Sequence, residues 1–281
     1  MIVFLNGEYV EEAAARIPIS DRGFLYGDGL FETLRTAHGK PLLWPAHLER
    51  WHRGLLLLGL RPPASDSILA AAVNEVLRQN ALIDAVVRIT VTRGSGLRGY
   101  SPTGANHPTL LITAQPAPAP FGGDAEVGGW DLMTSQHRIP TGNALTVAKH
   151  ANRLLSILAR AEAEAAGAHE ALLLNTTGNV AETAGSNVFW LEPPNQLFTP
   201  RLDSGALPGV MRKSVLELAH PLGLTLREQD TPPPRLLQSV GIFLTNSVQL
   251  VVPVRSMDGH PIPRSPCINL IINKLRLNFL L

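Results

Sequence analysis

Two periods of apolar residues run along the chain, and the switches between them mark the elements. IVFLNG and EYVEE flank Asn6-Gly7, a dipeptide suited to a tight β-hairpin turn, and read as two short strands. Phe31 to Arg35 and Pro41 to Trp44 read as strands joined at His38-Gly39-Lys40, which leaves Lys40 on a solvated turn. From His47 to Leu60 the period becomes helical: Leu48, Trp51, Leu55 and Leu58 share one face, and Pro62-Pro63 ends the run. Ser65 caps a second helix through Gln79, with Leu69, Val73, Val76 and Leu77 inward. Residues 85–93 alternate, with Val87, Ile89 and Val91 on one face and Arg88, Thr90 and Thr92 on the other. Thr109 to Ala114 is another strand.

The stretch PAPAPFGGD carries no apolar period and reads as a linker. It divides the chain into a smaller N-terminal domain over 1–118, a linker over 119–124 and a larger C-terminal domain over 125–281. In the second part, Trp130 to Gln136 predicts a strand, and His150 to Ala166 an alanine-rich helix ended by Gly167. Glu170 to Leu174, Val180 to Thr183 and Val188 to Leu191 predict strands around a Thr177-Gly178-Asn179 turn. A helix over Met211 to His220 follows the Pro208-Gly209 break. Strands over Gly241 to Thr245 and Leu250 to Val254, and a helical tail from Cys267, complete the reading. Strands and helices mix in both parts without strict βαβ alternation. That predicts two domains of the α+β class rather than a doubly wound sheet.

Composition narrows the chemistry. With 281 residues, 45% hydrophobic and 17% charged, the chain has the balance of a globular protein. A net charge of +1 without a basic run argues against a nucleic-acid partner. The single cysteine, Cys267, leaves no internal disulfide and no cysteine-based metal cluster. The histidines are scattered without HExxH spacing, so no metal is expected. MIVFLNGEYV turns polar too soon for a signal peptide, and no apolar run approaches a membrane span; a cytoplasmic location is the expectation. No G-x-S-x-G, P-loop or GxGxxG follows a strand.

Lysine chemistry is left. Of the 24 basic residues only Lys40, Lys149, Lys213 and Lys274 are lysines. Lys149, in NALTVAKHANRLL, stands among small apolar residues at the expected start of a helix, a setting that lowers an amine's pKa and favours imine formation, although most helix-start lysines are surface residues. Glu182 interrupts an apolar strand, either as a strand-end glutamate facing solvent or as a buried carboxylate, which needs a partner such as a pyridinium nitrogen. Arg50, off the centre of its helix stripe, is either an ordinary helix-face charge or a bidentate grip on phosphate. LPGVMR, at 207–212, turns into a helix whose first amides suit an anion.

These elements occur together and in order in the fold-type IV, or class IV, pyridoxal-phosphate (PLP) aminotransferase-like family, which the chain resembles from about residue 3 to 254. The matching segments are DRGFLYGDGLFETLR, HLER, RITVTRGSGLRGYSP, KHANRL, EALLLNTTGNVAETAGSNVFW, FTPRLDSGALPGVMR and TNSVQLVVPV. The resemblance implies two α/β domains of the D-amino-acid aminotransferase-like fold with PLP between them, and a homodimer that completes each other's sites. It implies that Lys149 carries PLP as an imine and that Glu182 meets the pyridine nitrogen. Arg50 would hold the phosphate with the amides of Val210 and Met211 and the hydroxyl of Ser247. Many family aminotransferases have a hydroxyl residue where Met211 stands, so that contact can only be through the backbone.

Within the family, RGSGLRGYSP, KHANRL and Asn246 resemble the 4-amino-4-deoxychorismate lyases, which make 4-aminobenzoate and pyruvate for folate synthesis. That likeness implies substrate-binding roles for Arg98, Tyr100, Arg153 and Asn246, the arginines suiting a dicarboxylate. Branched-chain aminotransferases usually carry a tyrosine where Arg153 stands. D-amino-acid aminotransferases share an arginine at the Arg98 position. An aminotransferase acting on D-amino or branched-chain amino acids, and a non-catalytic PLP-binding protein, are the alternatives.

Overall fold

The computed structural model describes residues 1–121 and 128–280. The chain forms two compact units, one of Met1–Ala117 with Ala148–Asn152, the other of Pro118–Val147 with Arg153–Leu281. The linker expected over 119–124 lies partly outside the described residues. The α+β class is borne out: each unit has its own sheet and its own helices.

In the first unit, β1 (Ile2–Leu5) and β2 (Glu8–Glu11) form the expected hairpin. Asn6 and Gly7 have φ of 51° and 102°, left-handed values that this dipeptide tolerates. Then come α1 (Arg22–Tyr26), β3 (Gly29–Ala37), β4 (Lys40–Pro41), α2 (Trp44–Leu58), α3 (Asp66–Gln79), β5 (Ala85–Thr92) and β6 (Thr109–Pro116). The strands form an antiparallel sheet in the order β2-β1-β6-β5-β3-β4. Val87, Ile89 and Val91 from the alternating face of β5 pack with Trp51, Leu55, Leu69, Val73 and Val76 of α2 and α3. Ser65 caps α3, its hydroxyl accepting from Ile68 N. Boundaries differ: α1 has no counterpart in the sequence pattern, the strand expected over Pro41 to Trp44 ends at Pro41, and the helix expected over His47 to Leu60 runs Trp44–Leu58, because Pro45 occupies the first turn of that helix, where its missing N–H costs nothing.

In the second unit, β7 (Trp130–Ile139) precedes α4 (Leu154–Ala165), β8 (Glu170–Asn175), β9 (Val180–Thr183), β10 (Asn187–Glu192) and β11 (Gln196–Thr199). After these come α5 (Val210–Ala219), β12 (Thr225–Glu228), α6 (Pro233–Leu236), β13 (Gly241–Asn246), β14 (Leu250–Met257), β15 (His260–Pro261) and α7 (Pro266–Phe279). The sheet runs β12-β11-β10-β13-β14-β7-β8-β9, with β15 on β14. It is mixed: β14 with β7, β7 with β8 and β11 with β12 are parallel. Leu172 and Leu174 of β8 enter a core with Trp190, Phe198 and Leu244. Ala171 and Leu173, on the other face, pack against Ala159 and Ala163 of α4, so alanines let that helix approach the sheet closely. Four-residue β11 and β12 were not expected from the sequence. Among the described residues no helix is long and apolar enough to cross a membrane, and no cluster of His, Cys, Asp and Glu is arranged to hold a metal.

Candidate active site

Lys149 does not open a helix. The sequence pattern predicts a helix from His150, whereas α4 begins at Leu154. Before it, a short 3-10 turn over Ala144–Val147 leads into irregular chain that hydrogen-bonds along β3. Phe31 N donates to Lys149 O at 2.9 Å, Ala151 N donates to Gly29 O at 2.8 Å, and Leu30 bridges to His150. This pairing places Ala148–Asn152 with the first unit, although the expected C-terminal part over 125–281 contains them. Ala148 is buried in the first unit's core, whereas Lys149 is only half-buried. Its Nζ lies 4.6 Å from the centre of the Phe31 ring. The Arg88 guanidinium lies 3.7 Å from the same ring. The sequence put Arg88 merely on the outward face of its strand; a cation opposite an inward-alternating apolar row was the available signal.

Arg50 is on α2 in the same unit and is 5% exposed. Its Nε donates to Glu32 Oε1 at 2.8 Å and its Nη2 to Glu32 Oε2 at 2.6 Å. His47, one turn earlier, approaches Glu32 Oε2 through Nδ1 at 2.7 Å. The bidentate fork expected to take phosphate is thus engaged by Glu32 of β3. A buried carboxylate is tolerated only with such partners. Burial alone would raise the Glu32 pKa, but the Arg50 charge and the hydrogen bonds from Arg50 and His47 outweigh it and hold the group at about 2. Glu32 and His47 lie within the motifs DRGFLYGDGLFETLR and HLER, but only the fold brings them to Arg50.

In the second unit, Glu182 is half-buried on β9, and its Oε2 accepts from Leu207 N at 2.8 Å. Asn187 of β10 holds the other side of the same residue, Nδ2 donating to Leu207 O at 2.8 Å. Two side chains therefore fix the turn that launches α5. Gly209 is the N-cap of α5, and no side chain caps the helix. The first amides of a helix have no intrahelical acceptor, so those of Val210 and Met211 suit an anion. Their side chains are buried, which leaves the backbone as their only means of contact. A Cβ on Gly209 would lie 1.9 Å from Asn187 Oδ1. Gly209→Ala should displace Asn187 from the Leu207 carbonyl and cost about 1–3 kcal/mol, as overpacking does. Thermal melting should show this as a midpoint lower by roughly 2–10 °C; an unchanged midpoint would refute the packing argument.

Asn246 ends β13 and belongs to the turn that carries Ser247. Its Oδ1 accepts from Val248 N and Gln249 N at 2.9 and 2.8 Å, and its Nδ2 donates to Ser186 Oγ at 2.9 Å. Its amide is thereby engaged in shaping the turn. Arg153 is half-buried at the N-cap of α4. Arg98 and Tyr100, in the first unit, are exposed on the loop between β5 and β6.

The family model for amino-transferase class IV matches residues 29–257. The chain belongs to the class IV aminotransferase family. An aminodeoxychorismate lyase of Vibrio harveyi is 34% identical over 243 residues, covering 86% of this chain and 88% of that one. A branched-chain-amino-acid aminotransferase of Escherichia coli K12 is 31% identical over 273 residues, covering 94% and 87%. The solved structure of a branched-chain amino acid aminotransferase of T.th. with pyridoxamine 5'-phosphate superposes with a TM-score of 0.91 at 28% identity, covering 99% of this chain and 94% of that one. Class IV relatives of similar identity thus carry two activities, and membership of the class fixes the fold without choosing between them.

Proposed function

We propose that the protein is a PLP-dependent lyase that converts 4-amino-4-deoxychorismate to 4-aminobenzoate and pyruvate. The observation that carries a lysine-based chemistry is the seat of Lys149, whose backbone is paired to β3 while its amine rests over Phe31. Each unit carries groups whose chemistry suits the cofactor: in the first, a lysine amine for its carbonyl and, for its phosphate, an arginine whose Nε and Nη2 are held by Glu32; in the second, a carboxylate backed by a backbone amide for its pyridine nitrogen and an uncapped helix N-terminus for its phosphate. The class IV neighbour bound to pyridoxamine phosphate supports the same choice. A homodimer in the cytoplasm, with domains over 1–118 and 125–281, belongs to this reading.

When bound, the cofactor supplies an electron sink beside the substrate nitrogen. Glu182 keeps a proton on the pyridine nitrogen. Arg50, the amides of Val210 and Met211, and the hydroxyl of Ser247 hold the phosphate. Arg98, Tyr100 and Arg153 meet the two substrate carboxylates, for which the arginine fork is suited. Lys149 Nζ takes the proton from the amine-bearing ring carbon; the neighbouring carbon–oxygen bond breaks and the enolpyruvyl oxygen leaves with the electron pair. The ring becomes aromatic, and Lys149 or a water returns a proton to give pyruvate. Aromatisation drives the reaction, so the protein's task is to orient the substrate and move one proton.

One observation favours a second reading, amine transfer. The Asn246 amide, a lyase-like feature of the sequence, is engaged within its own turn. The deciding experiment incubates the PLP-loaded protein with aminodeoxychorismate and no keto acid. Pyruvate release is expected. Turnover only with a D- or L-amino acid plus 2-oxoglutarate would replace this reading with the transaminase, and cofactor binding with neither turnover would mark a non-catalytic binder.

A further inference from the structure

Arg22 plays no part in the chemistry proposed above, yet it is among the most heavily hydrogen-bonded side chains of the first unit. It opens α1 and is 3% exposed. Its Nη1 donates to Gly99 O at 2.8 Å and Ser101 O at 3.1 Å, and its Nη2 donates to Tyr100 O at 3.2 Å. One guanidinium therefore collects three successive carbonyls of the loop that bears Arg98 and Tyr100. Tyr26, at the other end of α1, accepts from Gly99 N through its hydroxyl at 3.0 Å, and its ring meets Tyr100 edge-on at 5.7 Å. The loop fits closely: a Cβ on Gly96 would come within 3.0 Å of Arg22 Cδ.

The anchor itself is held firmly. Arg22 Nε donates to Asp28 Oδ2 at 2.8 Å, and Asp28 also accepts from Nε and Nη2 of Arg93 at 2.8 and 3.0 Å. Asp21 caps α1 and ties it to the sheet, accepting from Gly23 N, Thr92 Oγ1 and Thr109 Oγ1. The loop backbone is thus fixed from beneath, while the side chains of Arg98 and Tyr100 are presented outward.

We propose that Arg22 is a positioning residue for substrate preference, fixing residues 99–101 so that Arg98 and Tyr100 are pre-set to receive a dicarboxylic substrate. The proposal rests on the reading that those two residues meet the substrate's carboxylates. A loop already ordered before binding avoids the entropic cost of ordering it on binding, and that saving is expressed in KM rather than in the chemical step. The hydrogen bonds of the Arg22 guanidinium go to residues 99–101 and to Asp28 rather than to Lys149, so cofactor loading should not depend on them.

The test is Arg22→Gln in the PLP-loaded protein. KM for aminodeoxychorismate should rise about tenfold with kcat changed less than about twofold. The visible absorption of the bound cofactor should stay as in the wild type, and amide hydrogen exchange over residues 97–101 should accelerate. Should that variant fail to fold, Tyr26→Phe removes only the acceptor of the Gly99 N–H and should raise KM and loop exchange in the same direction, by less. Unchanged exchange, faster exchange with unchanged KM, or a proportional loss of kcat and cofactor absorption would each overturn the proposal. If the wild type releases no pyruvate, the lyase reading fails separately. The same comparison with an amino acid and 2-oxoglutarate, also a dicarboxylate, then decides the role of Arg22 by the same outcomes.

Discussion

Lys149→Ala should abolish the visible absorption of the PLP-loaded protein and lower turnover at least about a thousandfold, since positioned proton transfer alone contributes about 10²–10⁴-fold. The structure makes this variant a test of chemistry rather than of folding. The contacts that seat the segment are made by backbone atoms of Lys149 and Ala151, and the buried contact belongs to Ala148. Alanine keeps all of them. Among what it removes is the contact of the half-buried amine with Phe31, a cation–π interaction worth about 0.5–1 kcal/mol at an accessible site. The melting midpoint of the cofactor-free protein should therefore move by only a few degrees. Absorption spectra, turnover and melting curves on the same preparation separate the outcomes. Retained cofactor absorption and turnover would remove Lys149 from the role proposed for it.

A second large effect is expected at Glu32. Glu32→Ala leaves the buried Arg50 without its carboxylate and should cost about 3–5 kcal/mol of stability, the usual penalty for breaking one side of a buried pair. It should also weaken PLP binding, because Arg50 loses the two bonds that fix its plane. Glu32→Gln keeps the shape but not the charge and should fall between. The pH dependence has a definite sign. The folded-state pKa of Glu32, at about 2, lies below its ordinary value of 4.5. A depressed carboxyl pKa stabilises the fold fully above the unfolded value, and that contribution is lost as pH falls through the folded value. The wild type should therefore lose stability between about pH 4.5 and 2 more steeply than Glu32→Ala. Denaturant titrations across that window, with cofactor affinity measured at neutral pH, provide the check. Parallel curves for the two proteins would show that Glu32 does not carry the pair.

Elements governed by local periodicity were legible in the sequence. The Asn6-Gly7 hairpin, the Ser65-capped α3 and the alternating face of β5 are decided by neighbours within a few residues, and the structure has them. The start of α4 is not legible because KHANRLL has helix-compatible composition, while backbone bonds to β3, far away in the chain, keep Ala148–Asn152 out of the helix. β11 and β12, as short as β1 and β2, lack a hairpin dipeptide such as Asn6-Gly7 to mark them. The candidate residues Lys149, Arg50 and Glu182 were visible as chemistry out of place or as matches to ordered motifs. The roles of their supports were not. Arg22, Glu32, His47 and Asn187 lie within the matched motifs, but they act on atoms that only tertiary structure brings near, so the motifs mark them without showing what they hold.

The five residues Ala148–Asn152 have a bearing on how such a gene can be recombined. They pair with β3, yet the segments before and after them, Pro118–Val147 and Arg153–Leu281, belong to the other unit. Neither unit is therefore encoded as one uninterrupted block. A crossover near residue 120 between two diverged relatives would join one parent's β3 edge to the other parent's lysine segment. The Gly29 carbonyl and Phe31 amide would then face a segment that had not diverged alongside them. Viable chimaeras would be those that carry the small 148–152 cassette together with the first 117 residues.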